Sequence, residues 1–380
     1  MAKIADAFSM IRNGANIKQG LDNSGYPITR IETISNRTVD RNKMGYAGVV
    51  DISKYADYVL QDGDILMSHI NSETHLGKVA LYEKYEDETI IHGMNLLCLR
   101  PKQELLDSRF AFYYLSSEDF LRQIPRITKK SVNQASFNVA ALKELTIPIP
   151  EIEKQRDIAR GLDKVSKLIS LRKEQLTKLD QLVKSRFVEL FEGKYKTVKL
   201  GDVVKTTSGG TPSKAYPEYY ENGTIPWLTS GEVNAGVITS VKNYITDLGM
   251  KNSSAKIVPA NSVVIAMYGA TAGVTGLIRL DTTTNQAVCS ILPSERFIPE
   301  YLYYAVASKK DWMLSQCQGG GQPNISQGII KNMDVIDAPI KEQMRFAAFV
   351  EQTNKTKLTI QASLDKLEVM KKALMQEYFG

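Results

Sequence analysis

The sequence predicts an α+β fold written twice. Two mixed α/β domains are each followed by a long helix, and the helices pair as an antiparallel coiled coil about an internal pseudo-two-fold axis. Three observations predict it. The chain has 380 residues, enough for two domains or more. Slid on itself by 188 residues, Ile152–Phe191 falls without a gap on Ile340–Phe379. Within those two stretches apolar residues recur at steps of three and four, whereas the stretches before them are short β-branched or aromatic runs punctuated by Gly and Pro.

The repeat is more than composition. Two amphipathic helices would share leucines by chance, as at Leu176/Leu364 and Leu179/Leu367. Chance does not explain Gln155/Gln343 or the shared aromatic ends Phe191 and Phe379. Upstream the echo continues in order. Lys3-Ile-Ala-Asp6 answers Lys199-Leu-Gly-Asp202, Gly14 answers Gly210, and Pro27 and Glu32 answer Pro226 and Glu232 within a residue of drift. Asp62–His69 answers Asn261–Tyr268, Phe110–Ser117 answers Tyr301–Ser308, and Ser136-Phe-Asn138 answers Asn324-Ile-Ser326. The boundaries are then 1–150 for the first mixed domain, 151–193 for its helix, 194–338 for the second mixed domain and 339–380 for its helix.

In the mixed domains, Val59–His69 and Val263–Tyr268 read as strands, and Phe110–Leu121 and Glu300–Met313 as helices whose aromatic faces suit a core. No charge lies between Lys256 and Arg279, a length that could span a bilayer. Pro259, Asn261 and the Gly269–Gly273 run break it, so it reads as two buried strands, Val263-Val-Ile265 and Val274-Thr275, joined by a Gly turn. The N-terminus lacks the apolar core and cleavage site of a signal peptide.

The first long helix begins after Pro148-Ile-Pro150, with Glu151 and Glu153 near its positive end, and stops at Gly193. Its seam is Ile158, Leu162, Val165, Ile169, Leu176, Leu179, Val183 and Leu190, broken by Arg172 and Arg186. The second seam is Phe346, Val350, Ile360, Leu364, Leu367, Leu374 and Tyr378, broken by Thr353, Lys357 and Lys371. Burying such side chains is worth roughly 1.5–3 kcal/mol each, so each stripe needs a partner, and the simplest is the other helix. About 37 helical residues span roughly 55 Å. An ordinary dimerisation coiled coil is the plainer reading, but a dimeriser needs one helix per chain rather than an alternation of domain and helix.

Lys and Arg exceed Asp and Glu by 48 to 42, a net charge of +6 that leans toward anionic partners. Cys98, Cys289 and Cys317 are scattered and odd in number, which suits a reducing, cytoplasmic setting and no disulfide frame or zinc cluster. Catalytic constellations are sparse. His69 and His75 lie six apart and His92 stands alone, which reads as loop histidines rather than a metal pair. There is no Walker A, no GxSxG and no Asn/Asp-Pro-Pro-Tyr. The balance favours recognition over catalysis.

The most distinctive loop is Ser208-Gly-Gly-Thr-Pro-Ser-Lys214. Gly209 and Gly210 would expose backbone N–H groups, and Thr211, Ser213 and Lys214 add donors, a fair phosphate-contact loop or else a plain tight turn. Asn16 and Lys18 occupy the corresponding loop of the first copy. Lys129, Lys130, Asn133 and Gln134 form a second donor-rich loop, and Gln322 and Asn324 a third. Asn and Gln can read adenine bidentately, and Arg or Lys guanine.

Taken together, Lys199-Leu-Gly-Asp202, the Ser208–Lys214 loop, Pro226-Trp-Leu-Thr-Ser-Gly-Glu232, Asn285-Gln286-Ala-Val and Ala338-Pro-Ile-Lys-Glu-Gln343 resemble the specificity subunit of type I restriction-modification systems, over nearly the whole chain. The first copy departs: Gly-Ala-Asn replaces Gly-Gly-Thr, and Arg30-Ile-Glu32 stands near Ser-Gly-Glu. The resemblance implies that each mixed domain is a target recognition domain reading half of a split double-stranded DNA site, with the helices as spacer. It adds Arg30, Thr229 and Ser230 to the candidate contacts. It implies two methyltransferase subunits that use S-adenosylmethionine to methylate adenine N6, and restriction subunits that use ATP and Mg²⁺, with no cofactor on this chain and no membrane. Half-sites read from one face of DNA recur at about 34–36 Å. The competing expectations are the specificity part of a related fused (type IIG/IIB-like) restriction enzyme, a two-domain coiled-coil scaffold that binds no nucleic acid, and an enzyme hidden in the mixed domains.

Overall fold

The structure is a computed structural model that describes residues 1–17, 24–34, 37–131, 134–317 and 323–380. It is mixed α/β, and the chain divides into two compact units, residues 1–173 with 362–380, and residues 174–361. The divisions fall inside the two long helices, Ile152–Phe191 and Ile340–Phe379, so each unit contains part of both.

Each unit is built on an antiparallel sheet of the same order. In the first the order is Phe8–Asn13, Leu96–Pro101, Ile65–Ser68, Val79–Leu81. In the second it is Thr206–Ser208, Val288–Ile291, Val263–Ala266, Thr275–Ile278, with Val237–Ile238 added in parallel at the edge. Both faces of each sheet are covered, which is why Ile65–Ser68 and Val263–Ala266 carry no charged residue. Alternate residues serve different cores. Ile65, Met67, Leu97 and Leu99 face the core shared with the helices, while Leu66, Leu96 and Cys98 face a second cluster with Ile34, Leu60 and Tyr82. In the second unit Val263, Ile265, Cys289 and Ile291 face the helices, and Val264, Ala266 and Val288 the other side. A two-strand clip closes each unit: Ala2–Lys3 with Thr146–Ile147, and Thr197–Lys199 with Asp334–Ile336.

Several predicted elements are shorter. The strand expected over 59–69 starts at Ile65, because Asp62-Gly63-Asp64 turns the chain: Gly63 has φ +84° and Asp64 accepts the Gln61 N–H at 2.8 Å. The helix expected over 110–121 breaks into Ser108–Leu115 and Glu118–Leu121, because Ser117 caps the second piece by accepting the Phe120 N–H. Likewise 300–313 is Pro299–Ala307 and Lys310–Ser315. The two buried strands expected at 263–265 and 274–275 are present and paired, the second running Thr275–Ile278, with Val263 opposite Leu277 and Ile265 opposite Thr275.

The long helices stop where Gly193 takes φ +70° and at the chain end. Ile158, Leu162, Val165, Val183, Val350 and Leu364 are buried, and Ile169, Leu176, Leu179, Ile360, Leu367 and Leu374 half-buried. Tyr378 is exposed; the neighbouring Phe379 takes the inward place, 5.3 Å from the ring of Phe110 and 5.8 Å from Tyr114. Phe191 does the same in the second unit, 4.8 Å from Tyr301 and 5.6 Å from Phe346. The polar breaks in the seam are used. Lys357 pairs with Asp180 at 2.6 Å, and Lys371 lies over the Tyr113 ring. Burial, with Arg37 and Lys173 nearby, pushes the Lys371 ammonium below its usual range.

The repeated glutamine is a lock. Gln155 is fully buried; its Oε1 accepts the Asp107 N–H, and its Nε2 donates to the Leu105 and Pro150 carbonyls, at 2.8–2.9 Å. Gln343, also fully buried, accepts from Ile298 N–H at 2.8 Å and donates to Arg296 and Ala338 carbonyls at 3.1 and 2.8 Å. Each ties the start of a long helix to the N-cap of the aromatic helix it packs on.

Candidate nucleic-acid interface

The candidate residues lie on loops and short strands outside the main sheet of each unit. In the second unit, strand Thr206–Ser208 delivers the loop Gly209–Lys214. A Cβ at Gly209 would lie 1.8 Å from the Thr284 carbonyl oxygen, and one at Gly210 2.4 Å from Ser254 Oγ. Both glycines are buried, and the Gly210 N–H donates to Thr284 O at 2.9 Å. The Gly210 N–H is therefore committed to Thr284 rather than displayed to a phosphate. The role of the two glycines is to let two backbones touch. The loop is held further by the Trp227 indole, which donates to Gly210 O at 3.0 Å, and by the Tyr220 hydroxyl, which donates to Pro212 O. Trp227, Ile245 and Ala255 form a small core beneath it. Thr211 then reaches Gln286, its hydroxyl donating to Oε1. Ser213 and Lys214 are exposed.

Thr229 is half-buried and serves the fold: it caps the turn Ser230–Ala235 through a capping box with Glu232, its hydroxyl donating to Glu232 Oε2 at 2.8 Å. Burial pushes the Glu232 carboxyl up, but the Lys242 and Thr229 N–H groups, the Thr229 hydroxyl and the Asn243 amide outweigh it and hold it below the usual range. Ser230 is half-buried, and Asn324 is exposed on a backbone bridge to Tyr268. Gln322 lies outside the described residues.

The first unit has the same ground plan. Ala15 N–H donates to His92 O at 2.8 Å as Gly210 does to Thr284. This makes Gly14 the counterpart of Gly209 rather than of Gly210, Asn16 that of Thr211, and Met94 that of Gln286. The central strand also shifts by one. Ser68 N–H donates to Lys78 O and Gly77 N–H to Ser68 O; Ala266, Val274 and Gly273 repeat the pattern, so His69 answers Met267. Asn16 is exposed and Arg30 half-buried, on two segments that flank Ile91–Met94. Lys18 and Asn133 lie outside the described residues. Lys129, Lys130 and Gln134 are exposed together, the lysines on a short strand paired with Ala135–Ser136. Lys130 pairs with Glu73 at 2.8 Å. Lys129 borders a cleft of about 360 Å³ with Asn13, His69, Ser136 and Phe137.

Burial pushes His69 and His92 below the usual imidazole range, His92 to about 4. His75 instead meets Lys78 at 2.5 Å. Among the described residues no group of three or more His, Cys, Asp or Glu is placed to hold a metal, and no helix is long and apolar enough to cross a membrane. Gln286, named in the sequence only as part of a motif, joins the candidate loop through Thr211, a partner 75 positions away.

The two units are two copies of one domain plan. The model of the type I restriction modification DNA specificity domain matches residues 1–181 and 192–369, and the chain belongs to this family. This is a family of recognition rather than catalysis, as the sequence reading expected. The chain is 42% identical over 189 residues to the MjaX type I restriction enzyme specificity subunit of Methanocaldococcus jannaschii, covering 50% of this chain and 44% of that one. It is 28% identical over 255 residues to the EcoR124I/EcoR124II specificity subunit of Escherichia coli, covering 62% of each. The match thus spans less than two thirds of either relative. In fold it is similar to the S subunit of a type I restriction-modification system from M. genitalium, with a TM-score of 0.59 at 15% identity over 100% of this chain and 95% of that one.

Proposed function

We propose that the chain is the DNA sequence-recognition subunit of a type I restriction-modification complex. Residues 1–150 and 194–338 each read one half of a bipartite site, and the helices within 151–193 and 339–380 pair antiparallel as the spacer. The observation that carries this reading is the pair of specificity domains with matching loop plans, one around Ile91–Met94 and one around Thr284–Gln286. The net charge of +6 suits a polyanionic partner. Asn16, Arg30, Lys129, Lys130 and Gln134 are the proposed contacts of the first half-site, and Ser213, Lys214, Ser230 and Asn324 those of the second, with Thr211 beside them bonded to Gln286. The chain binds no cofactor. Two methyltransferase subunits using S-adenosylmethionine modify adenine N6, and restriction subunits using ATP and Mg²⁺ cleave, all in the cytoplasm.

The test is a base-resolution adenine methylome of cells expressing the chain with its methyltransferase partner. A split motif, two short half-sites around a fixed gap, is expected. A continuous motif overturns the two-reader design, and no methylation by the assembled pair overturns the DNA-reading role.

A further inference from the structure

We propose that Gln286 is a phosphate-binding residue of the second half-site, oriented for that task by Thr211. This rests on the DNA-reading role proposed above. Three backbone hydrogen bonds pin the turn that carries Gln286. Thr284 O accepts from Gly210 at 2.9 Å, Asn285 N–H donates to Leu228 O at 3.0 Å, and Ala287 O accepts from Met267 at 2.8 Å. Its backbone is therefore fixed while its side chain is exposed.

The amide is oriented as well. Oε1 accepts the Thr211 hydroxyl, and Nε2 keeps two N–H donors with no partner among the described residues. A glutamine that reads adenine must offer an acceptor and a donor side by side. Thr211 takes one of the two acceptor sites of the oxygen while both donors stay open, so Gln286 is richer in donors, and the DNA backbone presents acceptors. Ser213 and the cationic Lys214 are exposed on the loop that supplies Thr211, so the neighbouring groups suit an anion too. Holding the amide in place before DNA arrives removes part of the ordering cost of the contact.

Gly209 is needed for this geometry. A Cβ there would lie 1.8 Å from the Thr284 carbonyl oxygen, and the close approach places Thr211 within reach of Gln286. The first unit carries Asn16 and Met94 at these positions, and Met94 has no donor to offer. The device belongs to the second unit.

The experiment uses the full chain assembled with its methyltransferase partner, and measures binding to two duplexes, one with the methylated site and one with the second half-site scrambled. Gln286→Met, the residue the first unit uses, and Gln286→Ala are expected to weaken binding about 10-fold on both duplexes, the worth of a hydrogen bond to a charged group. The methylation motif is expected to stay unchanged. Thr211→Val should cost a similar factor, and Thr211→Val with Gln286→Ala no more than Gln286→Ala alone. Unchanged affinity in both Gln286 variants overturns the proposal. So does a loss confined to the specific duplex with one base position of the motif relaxed, the mark of a base reader. A wild-type assembly that binds neither duplex overturns the DNA-reading role itself, a failure distinct from either of these.

Discussion

Replacing Gln155 by Ala removes three hydrogen bonds at once and leaves the Asp107 N–H and the Leu105 and Pro150 carbonyls facing the vacated space. A buried polar group left without a partner costs about 1–3 kcal/mol. Three would cost about 3–9 kcal/mol, less what an entering water recovers, so about 3–5 kcal/mol is expected. That is a large share of the roughly 5–15 kcal/mol that holds a domain folded. Gln343 makes the corresponding three bonds, so Gln343→Ala should cost the same within about 1 kcal/mol by this accounting. Gln155→Glu should be no milder, because a carboxylate keeps the shape but cannot donate to two carbonyls. Urea unfolding gives the magnitude, and hydrogen exchange at the Asp107 and Ile298 amides shows where protection is lost. A cost below about 1 kcal/mol for Gln155→Ala, at the level of a single exchanged hydrogen bond, would refute the reasoning.

Phe379→Ala should destabilise by about 3–4 kcal/mol, because Phe379 fills the first unit's core between Phe110 and Tyr114; a calorimetric loss under about 1 kcal/mol would contradict that placement. Asp64 is fully buried and bidentate to Arg100 at 2.7 Å, so Asp64→Asn should cost about 3 kcal/mol in urea, the penalty for stranding a half-buried cation. Burial keeps His92 neutral, with its pKa down at about 4 against 6.5 for an ordinary histidine. Between those values the unfolded chain binds the extra proton, so stability falls as pH drops through the window. In His92→Gln, whose amide can still donate to Leu96 O, that part of the slope should vanish; an unaltered pH profile would count against it. Lys214→Ala should lower the salt dependence of DNA binding by about one counterion on any sequence, and an unchanged slope would remove Lys214 from the phosphate contacts.

Much of the fold is legible in the residues because its causes are local or repeated. Helical periodicity marks 152–191 and 340–379 within a few residues, and β-branched runs mark Val263–Ala266. The duplication singles out Gln155 and Gln343, amides at the same place in both helices and both fully buried. Short polar signals were weaker: Ser117 ends one aromatic helix early, and Asp62-Gly63-Asp64 delays a strand.

The site was less legible. Gly209-Gly210 has one composition but two readings, an open anion loop or a close approach, and the choice depends on Thr284, far along the chain, lying against it. Thr229 reads as a contact, and only the fold brings Glu232 back onto its hydroxyl. The register between copies likewise slips by one at Gly14 and His69, because backbone hydrogen bonds across the sheet define equivalence there, and neighbouring residue types do not. Periodicity and propensity act over a turn of helix or a few strand residues, so the sequence carries them openly. The meeting of Thr211 with Gln286 depends on strand pairing across 75 positions, and packing of the whole unit settles it.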